Sequence, residues 1–214
     1  MKVNETFLSL QGEGYFTGTP AFFLRLSGCN LKCPFCDTQH QTYREMTEDE
    51  ILQEAVHSGM RHIVITGGEP ALQLTQSLVD SLHRAGLFVQ VETNGTLPLP
   101  EGIDWVTCSP KSPQTLSNSP LKGKKQGKGL KIDELKVLFA GENEKSPFLP
   151  ELNDVEASIS PLLGEGSGVR LSLQPLDTGD TEQNRVILRS CIDYIMQHPR
   201  WRLSLQTHKL LGIK

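Results

Sequence analysis

The sequence lacks the features of a membrane protein or a nucleic-acid-binding protein. No apolar run approaches the roughly 20 residues that a helix needs to cross a bilayer. Basic residues are not in excess, since 21 Lys and Arg stand against 25 Asp and Glu in 214 residues, and this balance argues against a polyanionic partner. Residues 1–5 (MKVNE) show no signal-peptide pattern, because polar and acidic residues interrupt them. We expect a cytoplasmic protein with no membrane and no nucleic-acid partner.

The chain has few cysteines and an odd number of them, which argues against a disulfide framework. The chain has five cysteines, and three of them fall close together, whereas a disulfide-bonded domain spreads an even number along its length. In a reducing cytosol a tight cluster indicates metal binding or redox chemistry. The other two, Cys108 and Cys191, stand singly in apolar segments, and we predict that they are small core residues.

Short β-branched, apolar segments alternate with amphipathic ones, which predicts a mostly parallel sheet with helices between its strands. The predicted strands are 21–26, 61–66, 88–92, 104–108, 135–139, 169–173 and 201–205. Helices are predicted after the capping box 47–50 (TEDE), over 74–85 and over 180–198. We therefore expect an α/β fold, a partial (incomplete) TIM-like barrel, in a single domain over residues 1–214. The segments 112–131 and 141–150 show no periodicity and are predicted to be loops.

The clustered cysteines follow the predicted strand 21–26 directly. Cys29, Cys33 and Cys36 have the spacing C-x3-C-x2-C, and they leave the carboxyl end of the strand, where parallel α/β folds build their sites. The spacing predicts a metal site and leaves two metals open. Zinc would need a fourth ligand, which His40 could supply. An iron–sulfur cluster on three thiolates would keep one iron open for chemistry.

This cysteine spacing resembles the signature of the radical S-adenosylmethionine superfamily, and so do two segments at later strand ends. Residues 67–70 (GGEP) follow the strand 61–66, and residues 92–95 (ETNG) end the strand 88–92. The resemblance implies a 4Fe–4S cluster on the three cysteines, S-adenosyl-L-methionine chelated by the open iron, and a 5′-deoxyadenosyl radical formed by electron transfer. The implied cofactor-binding residues are Gly67, Gly68, Glu69, Asn94, Ser109, Lys111 and Gln174.

Segments at both ends of the chain resemble one family of that superfamily, the 7-carboxy-7-deazaguanine synthases. They are residues 8–14 (LSLQGEG), 36–38 (CDT) and 204–209 (SLQTHK). The resemblance implies rearrangement of 6-carboxy-5,6,7,8-tetrahydropterin to 7-carboxy-7-deazaguanine with loss of ammonia, on the path to queuosine-type deazapurines. It implies Mg²⁺ held in part by the Thr38 hydroxyl, in keeping with the oxygen ligands that this ion prefers. The implied substrate-binding residues are Gln11, Glu13, Arg25, Thr93 and His208.

The chemistry of the pterin explains the residue types in this set. Gln11 and Glu13 match the amide and amino groups along one edge of the ring. The planar guanidinium of Arg25 can hold the substrate carboxylate in two places. The family resemblance also implies a homodimer and an electron donor of the flavodoxin or ferredoxin type, whose identity the sequence leaves open.

Two other functions remain open. A glycyl-radical activating enzyme shares the cysteine and GGEP motifs but acts on a partner protein, which does not obviously require the polar residues at the two chain ends. A zinc-stabilised binding module would use the three cysteines together with His40.

Overall fold

One sheet of nine strands organises the part of the chain that the structure describes. The computed structural model describes residues 1–36, 38, 42–111, 131–141, 152–159 and 168–214. In these ranges the strands run in the order β3-β1-β2-β4-β5-β6-β7-β8-β9. Every neighbouring pair from β2 to β9 is parallel, and β1 is antiparallel to β2 and β3. The strands are β1 Lys2–Leu10, β2 Pro20–Leu26, β3 Arg44–Glu45, β4 His62–Gly67, β5 Phe88–Thr93, β6 Trp105–Cys108, β7 Glu134–Phe139, β8 Arg170–Pro175 and β9 Trp201–Leu203.

Helices follow several of the parallel strands. They are α1 Glu48–His57, a 3₁₀ turn Pro70–Leu72, α2 Gln76–Arg84, α3 Leu152–Ile159, α4 Thr181–Gln197 and α5 Thr207–Leu211. The predicted capping box is confirmed, because the Glu50 amide donates to Thr47 Oγ1 and the Thr47 amide donates to Glu50 Oε2. In the part of the chain that the structure describes, no helix has both the length and the apolar character needed to span a bilayer.

The strands alternate between an apolar and a polar face. On β5, Val89 and Val91 belong to the main hydrophobic core, whereas Glu92 faces a cavity. On β7, Leu135 belongs to the core and Lys136 faces the same cavity. Core side chains from α1, α2 and α4 cover the apolar face. The helices therefore lie outside the sheet and the polar face lines its interior, as in a barrel wall.

The predicted α/β fold is confirmed as an incomplete barrel. The short elements β3 and α5 and the 3₁₀ turn were not predicted. β1 was not predicted, because Asn4, Glu5 and Thr6 interrupt its apolar residues, yet it pairs along almost the whole of β2. α3 also lies in a region where no helix was predicted. Cys108 and Cys191 are fully buried in the core, as expected. The predicted loops 112–131 and 141–150 fall outside the described residues, except at their ends 131 and 141.

Residues from the two ends of the chain meet beside this sheet. Both the amide and the hydroxyl of Thr207 donate to the Gly12 carbonyl at 2.9 Å. The Gly14 amide donates to Ser204 Oγ at 2.9 Å. The His208 ring packs directly on Gly12, where a Cβ would lie 2.2 Å from His208 Nδ1. The QGEG turn (residues 11–14) and the SLQTHK segment (residues 204–209) therefore form one structural unit. The bonded groups are 190 or more residues apart in the chain.

Candidate functional site

The polar face of the sheet lines a cavity of about 680 Å³. Every residue predicted for the site contributes to its lining except Glu69. These residues are Gln11, Glu13, Arg25, Cys29, Cys33, Cys36, Thr38, Gly67, Gly68, Thr93, Asn94, Ser109, Lys111, Gln174 and His208. The volume is in the range of small-molecule and cofactor sites, which are typically a few hundred to about 1,000 Å³.

The three clustered cysteines lie in the loop that follows β2, and all three face the cavity. Cys29 and Cys33 are half-buried and Cys36 is exposed. Burial raises the pKa of the Cys29 and Cys33 thiols. The chain therefore presents three thiols to one cavity and keeps its other two cysteines in the core. This donor set fits a cluster that leaves one iron open.

The zinc and the iron–sulfur interpretations use the same three cysteines and differ in the fourth ligand that zinc needs. No three His, Cys, Asp or Glu side chains in the described ranges are grouped in a way that could hold a single metal ion. His40, the fourth ligand that the zinc alternative needs, lies outside the described ranges.

Two glycines bring the end of β4 against the start of the cysteine loop. The Gly68 amide donates to the Leu26 carbonyl, and the Glu69 amide donates to the Gly28 carbonyl, both at 2.9 Å. A Cβ at Gly68 would lie 1.9 Å from the Gly28 carbonyl oxygen, so no larger residue fits without moving that backbone. Gly67 has a φ of +121°, which favours glycine. These two positions give the cavity a wall of bare backbone that a ligand can approach closely.

The side chain of Glu69 is fully buried and does not line the cavity. Its predicted contact with the cofactor stays a prediction. Its Oε1 accepts from the Ala71 amide at 3.0 Å and from Thr93 Oγ1 at 2.7 Å, and its Oε2 accepts from the Asn94 amide at 2.7 Å. Burial raises the pKa of this carboxyl group, although the three donors oppose the shift. Glu69 therefore positions the ends of β4 and β5 relative to each other.

We expect Glu69→Gln to lower the free energy of unfolding by about 1–3 kcal/mol. Whichever oxygen becomes the amide NH₂ group, it faces a backbone N–H that now lacks an acceptor. Urea unfolding monitored by circular dichroism measures the change. Glu101→Gln, at an exposed glutamate, is the control and should stay within about 0.5 kcal/mol of the starting protein. Equal stability of Glu69→Gln and the parent would contradict the assigned role.

A buried lysine joins two carboxylates on the cavity wall. Lys136 Nζ lies 2.5 Å from Glu13 Oε2 and 2.8 Å from Glu92 Oε2. Gln206 Nε2 donates to Glu13 Oε1 at 2.9 Å, and Gln11 Nε2 donates to Glu92 Oε1 at 3.0 Å. Burial by itself raises the pKa of Glu13, but the charge and hydrogen bond of Lys136 outweigh it and bring the pKa to about 2. Burial likewise opposes the charge of Lys136, and the two carboxylates raise its pKa above the ordinary value.

The low pKa of Glu13 predicts part of the acid sensitivity of the fold. Because the pKa falls from 4.5 to about 2 on folding, the stabilisation is fully present above pH 4.5 and disappears as the pH drops toward 2. This one group contributes at most about 3 kcal/mol. We expect Glu13→Gln to show a shallower loss of unfolding free energy between pH 5 and pH 2.5 than the parent, measured by urea unfolding. Glu182→Gln, at an exposed residue, should keep the parent's slope, and equal slopes in all three proteins would contradict this assignment.

The remaining predicted residues lie around this network. Arg25 Nε donates to Glu5 Oε1 at 3.0 Å, so this arginine has an acidic partner on the neighbouring strand β1. Asn94 Nδ2 donates to Asn30 Oδ1 at 3.0 Å and connects the ETNG segment to the cysteine loop. Lys111 Nζ donates to Ser109 Oγ at 2.8 Å. Ser204 Oγ donates to Gln174 Oε1 at 3.1 Å, which links β8 to the C-terminal segment.

Sequence reasoning missed several residues of the cavity wall, among them Lys136, Glu92 and Gln206. Lys136 lies in a strand that was predicted correctly, and alternation places it on the face opposite Leu135 and Val137, so a lone lysine there was a usable signal. Glu92 belongs to the ETNG segment but was not assigned a role of its own. Gln206 lies within the SLQTHK segment, and no local pattern connects it with Glu13, because 193 residues separate the two.

Comparison with known proteins agrees with this geometry. A profile of the Radical SAM superfamily matches residues 24–125. A 7-carboxy-7-deazaguanine synthase from Bacteroides thetaiotaomicron is 46% identical over 213 residues, covering 100% of this chain and 98% of the relative. The enzyme of that name from Bradyrhizobium diazoefficiens is 35% identical, covering 99% and 98%.

A solved structure is similar as well. The crystal structure of QueE from Escherichia coli matches with a TM-score of 0.66 and 29% identity over 95% of this chain and 92% of that one. Since the similarity to these relatives extends over essentially the whole length and includes the cysteine loop, the chain belongs to the 7-carboxy-7-deazaguanine synthase family of the radical S-adenosylmethionine superfamily.

Proposed function

We propose that the chain converts 6-carboxy-5,6,7,8-tetrahydropterin to 7-carboxy-7-deazaguanine with loss of ammonia, in queuosine-type deazapurine biosynthesis. One observation carries the proposal. A single cavity brings the three thiols of the cysteine loop together with Gln11 and Glu13, which come from a different part of the chain. A glycyl-radical activating enzyme, which must admit a segment of a partner protein, gains nothing from this second set of residues.

The cofactors follow from the superfamily and from the residues that line the cavity. Members bind a 4Fe–4S cluster and S-adenosyl-L-methionine, which when bound together supply a 5′-deoxyadenosyl radical able to remove a hydrogen atom from the substrate. Cys29, Cys33 and Cys36 would hold the cluster. The backbone of Gly67 and Gly68 would accept the methionine end of the cofactor at close range. The polar groups that would bind the rest of the cofactor are Asn94, Ser109, Lys111 and Gln174.

The substrate would be held on the Gln11–Glu13 side of the cavity. Glu13 offers an acceptor to the amino and ring N–H groups of the pterin, and Gln11 offers both a donor and an acceptor. Arg25, Thr93 and His208 would contact the rest of the substrate, with Arg25 turned to its carboxylate. The Thr38 hydroxyl would help to bind Mg²⁺, a hard cation that takes oxygen ligands.

The proposal also covers the molecules with which the protein interacts and its cellular compartment. Residues 1–214 would act as one domain, with a small-molecule pterin as substrate. The cluster would be reduced by a flavodoxin- or ferredoxin-type protein, and the exposure of Cys36 supports such access. A homodimer would cover part of the apolar surface that Val186 and Met196 leave exposed on α4. Thiols that form no disulfide suit the reducing cytoplasm.

The direct test is turnover by the reconstituted protein. The cluster is assembled anaerobically, and S-adenosyl-L-methionine, Mg²⁺, a reductant and 6-carboxytetrahydropterin are added. We expect mass spectrometry to detect 7-carboxy-7-deazaguanine, with much more product formed than cofactor consumed. A protein with an intact cluster that cleaves the cofactor but forms no product would refute the substrate assignment and leave the radical chemistry in place.

A further inference from the structure

Lys136 has no role in the function proposed above, yet it is the most buried charge on the cavity wall. Its side chain is 5% exposed, against 18% for Glu13 and 17% for Glu92. A buried lysine between two carboxylates costs desolvation energy that an apolar residue would avoid. The effect of Lys136 on the protonation state of Glu13 explains why a lysine occupies this position.

We propose that Lys136 is a positioning residue that holds Glu13 as an ionised, acceptor-only group, and that the site thereby selects a bicyclic ring carrying an amino group over one carrying a carbonyl at the same position. The inference deepens the proposed function and rests on it for the identity of the ring. The role assigned to Lys136 is to discriminate between two rings of nearly equal size. Neither the cysteine loop nor Arg25 makes this discrimination.

The hydrogen bonds around Glu13 favour its ionised form, because both carboxylate oxygens accept from a donor. Oε2 accepts from Lys136 Nζ, and Oε1 accepts from Gln206 Nε2. Glu92 is held in the same way, because its Oε1 accepts from Gln11 Nε2 and its Oε2 from Lys136 Nζ. A carboxylate with both oxygens already accepting can still bind further N–H groups with its remaining lone pairs, but it has no hydrogen to offer a carbonyl. An amino group on the ring is therefore bound, and a carbonyl oxygen in its place meets a negative charge.

The charged groups around Glu13 lie on two strands and just after a third. Lys136 lies on β7, Glu92 on β5, and Lys111 follows β6. Lys136 and Lys111 both favour ionised Glu13, and Lys136 acts more strongly, first through its charge and then through its hydrogen bond. Removal of Lys136 leaves Glu13 and Glu92 facing each other across the position of the missing ammonium group. Two buried carboxylates in that arrangement share a proton at neutral pH.

The experiment compares the anaerobically reconstituted protein with its Lys136→Met variant, whose unbranched side chain is one atom shorter and carries no charge. Isothermal titration calorimetry measures binding of 6-carboxypterin and of 6-carboxylumazine, in which a carbonyl replaces the 2-amino group, between pH 5 and pH 9. We expect the parent to prefer the pterin by about 10- to 100-fold at every pH, the range expected when a buried polar group is left unmatched. The variant should lose most of this preference at pH 7 and regain it as the pH rises and Glu13 ionises.

A second variant separates control of ionisation from simple support of the structure. Lys136→Met combined with Glu92→Gln removes the competing carboxylate, so that Glu13 again ionises below neutral pH. We expect the double variant to bind the pterin at pH 7 at least about 10-fold more tightly than the single variant. A merely structural lysine would give a pH-independent loss that the second substitution does not repair, and that result would overturn the proposal.

Failure of this proposal is distinguishable from failure of the proposed function. Carbon-13 NMR titration of the glutamate side-chain carboxyl groups, with Glu13 identified from the missing signal in Glu13→Gln, reports its protonation without any ligand. An elevated midpoint in Lys136→Met supports control by Lys136 even if the parent binds neither ring. An unchanged midpoint overturns it even if turnover is confirmed, and so does a parent protein that binds pterin and lumazine equally.

Discussion

Cys33→Ala is expected to abolish the iron–sulfur chromophore and to lower product formation at least about 1,000-fold, because it removes the group that supplies the hard chemistry. Cys33 is one of the three thiols that face the cavity, so its loss leaves two protein ligands for the cluster. The visible absorbance, the iron content and turnover of 6-carboxytetrahydropterin are measured on protein reconstituted in parallel with the parent. All three quantities should fall together.

Cys191→Ala is the matched control. This thiol is fully buried in the core on α4, away from the cavity. We expect the control to lose about 1 kcal/mol of stability at most and to keep its iron and its activity. Parent-like iron content in Cys33→Ala would show that the cluster is held elsewhere, and it would contradict the assignment of Cys33 as a ligand.

Gly68→Ala is expected to have the second largest effect. The added methyl group would lie 1.9 Å from the Gly28 carbonyl oxygen, and this obstacle is backbone that cannot rotate away. The start of the cysteine loop must therefore move by about an ångström, a displacement that can lower a rate about 100-fold. The free energy of unfolding should fall by up to about 3 kcal/mol as well. Binding of S-adenosyl-L-methionine by equilibrium dialysis, together with turnover, measures the functional effect.

Gly86→Ala separates steric displacement from the ordinary cost of replacing a glycine. Gly86 has a φ of +78°, and a Cβ there would meet nothing within 4 Å. We expect this control to lose about 1 kcal/mol of stability and to keep cofactor binding. If the two variants behaved alike, contact between the GGEP segment and the cysteine loop would not be what positions the cofactor wall.

The sequence alone predicts the parts of this protein that are local in the chain. Three features depend on neighbouring residues, and the structure contains each of them. They are the cysteine spacing, the capping box at Thr47 and Glu50, and the parallel strands on either side of GGEP. The GGEP motif singles out Glu69 but does not reveal that its carboxylate points into the protein, since that direction depends on donors from β5.

Other parts depend on contacts between distant residues. β1 reads as a polar segment, and it becomes a strand because β2 lies beside it. Lys136 is visible as an isolated charge in an apolar strand, but its partner Glu13 is 123 residues away. Single-sequence patterns carry no record of such pairs, because strand order and the packing of the two ends of the chain arise only when the sheet assembles.

The contact between the two ends of the chain also sets the order in which the cavity can be completed during protein synthesis. The QGEG turn leaves the ribosome early, and Glu13 can meet Lys136 once β7 has joined the sheet. Its amide partner Gln206 is made 193 residues later, and the His208 ring that packs on Gly12 follows. Because N-terminal segments fold first and long-range contacts form slowly, a nascent chain holds its cysteine loop beside an unfinished cavity. The part of the cavity wall around Gly12 and Glu13 is therefore completed last, after the SLQTHK segment has been made.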